Sequence, residues 1–85
     1  MKLLAAFEIP PTDRGFATGL LLDLVAALRA CPPGGLVALT SRHLDVPEEL
    51  ERWARFTGNA IVARTEEAEG PRWVVRNGPA PAEPA

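Results

Sequence analysis

Leu20 to Ala30 carries only two charges, Asp23 and Arg29, and runs directly into Pro32-Pro33-Gly34-Gly35. An apolar segment with so hard a stop is a helix that must be covered. Proline lacks the N–H and clashes with the preceding turn, and glycine takes the tight exit. Upstream, Asp13-Arg14-Gly15 is turn chemistry and Thr18 is a candidate N-cap. At 100° per residue, Leu20, Leu21, Leu24, Val25, Leu28 and Cys31 share one side, the stripe of a helix packed on a sheet. Leu22, Asp23, Ala26, Arg29 and Ala30 share the other. Asp23 near the start and Arg29 near the end both suit the helix dipole.

The flanking segments supply the sheet. Lys2 to Ile9 alternates partially, with Leu3, Ala5, Phe7 and Ile9 on the better-buried face, and Pro10-Pro11-Thr12-Asp13 ends it. Leu36 to Thr40 is a short apolar run bounded by glycines and polar residues, a buried strand. Asp45 is a candidate N-cap, with Glu48 at capping-box spacing and Pro47 in the first turn. Val46, Leu50, Trp53, Ala54 and Thr57 then line one helix face up to Gly58. Glu48–Arg52 and Glu51–Arg55 are i,i+4 pairs in the favourable order. Ala60 to Glu66 alternates as a half-exposed strand, Glu67 to Pro71 turns, and Arg72 to Arg76 returns as the last strand of a hairpin. The order is β-α-β-α-β-β. The expected fold class is α+β, a two-layer α/β sandwich with a four-stranded mixed sheet and both helices on one face. Residues 1–77 form one domain, and the Pro/Ala-rich residues 78–85 read as a disordered tail.

Composition narrows the function classes. The net charge of −2 and a pI near 5.3 argue against a nucleic-acid footprint, which is normally basic. No stretch approaches the ~20 apolar residues of a membrane span. The opening Met1 to Phe7 is broken by Glu8 and Pro10-Pro11, too early for a signal peptide. A soluble cytoplasmic protein, monomeric or weakly dimeric, is expected. No cofactor motif or metal-ligand spacing is present, with one cysteine and one histidine in the chain.

Three candidate sites emerge from residue types alone. His43 stands beside Arg42 and Asp45, where a His–Asp pair would orient a general base, but no nucleophile accompanies it. Arg64, Arg72 and Arg76 would share the helix-free sheet face if Ile61, Ala63, Trp73 and Val75 point inward. There they form either an anion-binding patch or cross-strand ion pairs with Glu8 and Glu66. Cys31 falls on the buried stripe at the C-terminal end of its helix, where the dipole disfavours a thiolate.

From Asp13 to Gly78 the chain resembles the TusA/SirA-like (YhhP-like) small sulfur-carrier family. The marks are Asp13-Arg14-Gly15, Pro33-Gly34-Gly35, Trp53-Ala54-Arg55-Phe56-Thr57-Gly58-Asn59 and Val74-Val75-Arg76-Asn77-Gly78, in order and at near-family spacing. The resemblance implies a β-α-β-α-β-β sandwich. It also implies a persulfide-carrying cysteine in a Cys-Pro-x-Pro motif at the start of the first helix, and a sulfur-relay partner such as a cysteine desulfurase. This chain departs at that motif. Counting from Arg14-Gly15 puts Thr18 at the cysteine position, counting back from Pro33-Gly34 puts Ala17 there, and neither proline is present. A hydroxyl cannot hold a persulfide. The implied reading is a partner-binding variant without a catalytic residue, contacting its partner through Gly15, Phe16, Ala17, Thr18 and Gly19, with Phe16 as anchor. The alternatives are a persulfide relay that uses Cys31 and, more weakly, an RNA-binding or regulatory module.

Overall fold

The computed structural model describes residues 5–78. Its elements follow the expected order: β1 (Phe7–Glu8), α1 (Leu21–Ala30), β2 (Leu36–Thr40), α2 (Val46–Thr57), β3 (Ala60–Glu67) and β4 (Gly70–Arg76), with a π-type turn over Phe16–Leu20 leading into α1. The four strands lie in the order β1-β2-β4-β3. β1 runs parallel to β2, and the β2/β4 and β3/β4 pairs are antiparallel.

The core lies between the helices and one face of the sheet. Leu24 and Leu28 of α1 and Val46 and Leu50 of α2 cluster with Val37, Leu39, Trp73 and Val75. These strand positions alternate along β2 and β4, so the opposite face carries Ala38, Thr40, Arg72 and Val74. The α1 stripe is centred where the periodicity placed it: Leu20, Leu24, Leu28 and Cys31 are buried, Leu21 and Val25 are only half-buried at its edges, and Leu22 is 75% exposed. In α2, Val46, Leu50 and Ala54 are buried, Trp53 is half-buried, and Thr57 turns outward to donate to the Trp53 carbonyl at 2.8 Å.

Several local expectations are corrected. Thr18 does not cap α1; its hydroxyl donates to the Gly15 carbonyl at 3.1 Å, two residues before the π-type turn is complete. Asp45 does not cap α2 with its side chain. Arg52 takes both Glu48 and Glu49, each at 2.8 Å, while the Glu51–Arg55 pair is not formed. β1 is shorter than the apolar run suggested: Ile9 is buried, but Phe7, on the edge strand of the described sheet, is 38% exposed. Leu3 lies outside the described residues, as do residues 79–85 of the expected tail. Gly78 itself belongs to the fold, donating its N–H to Asn59 Oδ1 at 3.0 Å.

Candidate functional site

The connection from β1 to α1 is tied to the rest of the fold at several points. Phe16 begins the π-type turn, and helical geometry breaks at Thr18 (φ −103°, ψ 25°) and Gly19 (φ 137°, ψ −32°) before α1 starts. Gly19 adopts a left-handed φ that side chains rarely tolerate, and a Cβ there would stand 2.7 Å from Arg14 Nη1. At Gly15 a Cβ would meet Asp45 Oδ2 at 2.9 Å and the His43 ring at 3.1 Å. Gly19 is therefore required by its φ, whereas a side chain at Gly15 would have to displace the Asp45 carboxylate and the His43 ring.

Three segments hold the loop. Arg14 reaches forward to Asp23 Oδ2 of α1 at 2.6 Å, while its backbone N–H donates to Thr12 Oγ1 at 3.1 Å. Ser41, fully buried just after β2, donates to the Arg14 carbonyl and accepts the His43 N–H, both at 3.1 Å. Asp45 Oδ1 accepts the Phe16 N–H at 3.2 Å. The carboxylate thus satisfies the first orphan donor of a turn 29 residues earlier instead of its own helix. His43 Nδ1 lies 2.7 Å from the same oxygen. The same Nδ1 lies 3.3 Å from the Asp45 backbone N–H, and the ring stands close against Gly15.

The outcome is a turn whose tip is presented and whose root is locked. Ala17 and Thr18 are exposed. Leu22, the second residue of α1, is exposed, as is Leu44 (93%) between His43 and Asp45, the two residues that stand against Gly15. Phe16 is not available as an anchor. It is 3% exposed and meets Trp53 edge-on at 6.1 Å and 63°, because the kink at Gly19 turns the first residue of the loop into the core. The Asp45–Phe16 tie was not foreseen, since local spacing assigns Asp45 to α2. Its only sequence signal is an acidic residue near a helix start, which cannot specify which helix.

Cys31 sits at the far end of α1, 6% exposed. Its Sγ lies so close over Gly35 that no side chain fits there. Its backbone is tied too, the N–H donating to Leu28 and the carbonyl accepting from Asn77 Nδ2 at 2.8 Å.

The three arginines do not share a face. Ile61 pairs with Val75 and Ala63 with Val74, so Val62 is an extra residue, a bulge. The bulge shifts the alternation and brings Arg64 opposite Trp73 on the helix side, its guanidinium 5.4 Å from the ring centroid. Arg72 faces the other way and is 2% exposed. Its Nε and Nη2 donate to the two oxygens of Glu8 at 2.9 and 2.8 Å. The hydrogen bond to Glu8 raises its pKa, against desolvation that lowers it, so the guanidinium stays charged. Of the three, only Arg76 is on that face without a bonded partner among the described residues.

Among the described residues no group of three His, Cys, Asp or Glu is placed to hold a metal ion. No described helix is long and apolar enough to cross a membrane. Compared with known proteins, the chain matches no family model, no curated protein and no solved structure.

Proposed function

We propose that the chain is a TusA/SirA-like protein that binds a partner through the Gly15–Gly19 turn and performs no sulfur transfer itself. The observation that carries this reading is the separation of the presented turn from the thiol. The turn at the family's cysteine position is built and exposed at Ala17 and Thr18, whereas the single cysteine is buried at the opposite end of α1. A group that must reach a donor's persulfide needs access, and Cys31 has little. With Phe16 in the core, the apolar contacts fall to Leu22 and Leu44, both exposed. By resemblance, the partner is a sulfur-relay protein such as a cysteine desulfurase.

The test is sulfur loading followed by intact mass, with the desulfurase and free cysteine. Wild type and Cys31→Ser should both remain unloaded. Thr18→Cys, or Ala17→Cys beside it, should gain one sulfur, because either restores a thiol on a surface the desulfurase recognises. Leu44→Glu in the Thr18→Cys background should slow that loading. Loading of wild type that Cys31→Ser abolishes would establish the relay instead. Failure of both cysteine variants to load would remove the desulfurase and this surface together.

A further inference from the structure

On the side of the molecule formed by α2 and the β3–β4 hairpin, a cleft of about 420 Å³ opens over the sheet. Its volume lies in the range of small-ligand sites. Ala54, Ile61 and Trp73 give it an apolar floor, and Glu51, Arg55 and Arg64 line it with charge. Trp73 is 3% exposed, yet its indole N–H donates to no other described residue.

The charges are unusually disengaged. Glu51 and Arg55 stand one helical turn apart in the order that favours pairing, and neither bonds to the other or to any described side chain. Arg64 gives only its Nε to Glu66, at 3.1 Å, so both terminal amino groups of the guanidinium are uncommitted. Its plane is held by Trp73, which restrains the side chain without consuming a donor. Counting Glu66, the two guanidiniums face two carboxylates, so the rim is neutral overall. A simple anion gains little there. A ligand carrying both signs on neighbouring atoms can engage every free group.

We propose that this cleft binds an α-amino acid with an apolar or aromatic side chain, as the zwitterion. Its carboxylate lies between Arg55 and Arg64, its ammonium meets Glu51, and its side chain covers Ala54, Ile61 and the Trp73 edge. The site is separate from the Gly15–Gly19 turn and does not depend on the function proposed for it.

The test is an NMR titration of ¹⁵N-labelled protein that follows the Trp73 indole N–H, told apart from that of Trp53 by Trp53→Phe. Three probes are compared: L-phenylalanine, phenylacetate without the ammonium, and phenethylamine without the carboxylate. Phenylalanine should give a saturable shift, and each half-ligand should bind about tenfold more weakly, the usual worth of one charge-assisted contact. Glu51→Gln should erase the preference for phenylalanine over phenylacetate, and Arg55→Ala its preference over phenethylamine. Both residues are exposed, so the variants should fold. No saturable shift, equal binding of phenylacetate, or preferences untouched by the two substitutions would each overturn the proposal. None of these outcomes bears on sulfur loading at the turn.

Discussion

Replacing Asp45 by alanine should loosen a turn 29 residues away while leaving Asp45's own helix intact. The bond at stake runs from the Phe16 N–H to Asp45 Oδ1 at 3.2 Å. Loss of a cap of this kind costs about 0.5–2 kcal/mol, and the length places it in the middle of that range, near ~1 kcal/mol. The His43–Asp45 contact is 2.7 Å long, but the two side chains are 46% and 39% exposed, so solvent limits it to well under ~1 kcal/mol. The sum is about 1–2 kcal/mol. Amide exchange reads this site by site. With about 1.4 kcal/mol per factor of ten, the Phe16 amide should exchange at least about fivefold faster, relative to a core amide such as Leu24 that reports global opening. At the start of α2, the Val46 N–H bonds to the His43 carbonyl and the Glu49 N–H to the Asp45 carbonyl, both through backbone. Truncating the Asp45 side chain leaves those bonds in place, and their exchange should follow the core. Asp45→Asn keeps a neutral acceptor and should recover about half of the loss. Unchanged exchange at Phe16 with faster exchange across the first turn of α2 would mean that Asp45 caps its own helix, and the long-range tie would be refuted.

Phe16→Ala should cost about 3–5 kcal/mol, as for a buried phenylalanine, of which ~0.5–1.5 kcal/mol is the edge-on contact with Trp53. Urea unfolding measures it, and a loss under about 1 kcal/mol would return Phe16 to the surface. Glu8→Gln should destabilise the fold by about 1–3 kcal/mol, less than for a fully buried pair because Glu8 is 48% exposed. Adding Arg72→Met should recover part of that loss by removing the uncompensated charge, and a double variant no more stable than Glu8→Gln would contradict this. Since the Arg72 pKa is raised, its charge-dependent contribution is fully present below its unfolded pKa. It is lost only as pH rises through the higher folded value, so alkaline titration across the neutral range should not reproduce the Glu8→Gln effect.

Periodicity was sufficient for the elements whose environment is set locally. The α1 stripe, the inward residues of α2 other than Thr57 and the β3–β4 hairpin follow from spacing and stop signals. It failed where one residue changes a phase or a contact crosses the chain. Val62 is an ordinary strand residue by type, yet as a bulge it moves Arg64 to the helix face and away from Arg72. Composition carries no mark of that insertion. Phe16 reads as a loop residue because Gly15 and Gly19 bracket it, and only the left-handed Gly19 directs it inward. Asp45 obeys a local capping rule on paper, but the approach of Gly15 to within van der Waals reach of Asp45 and His43 offers it a different donor.

On the function proposed above, the bonds that shape the β1–α1 turn account for a presenting loop that persists without a reactive group. Arg14–Asp23, Ser41–Arg14 and Asp45–Phe16 all engage residues outside the tip. The close backbone passages are at Gly15 and Gly19, on either side of it. Residue 18 contributes its backbone N–H and one hydroxyl bond, both to the Gly15 carbonyl. Exchanging its side chain leaves the three cross-links and both glycine passages unchanged. Presentation and reactivity are then separable properties of the turn. The first depends on a network distributed over Arg14, Asp23, Ser41 and Asp45, and the second on the single side chain displayed at its tip.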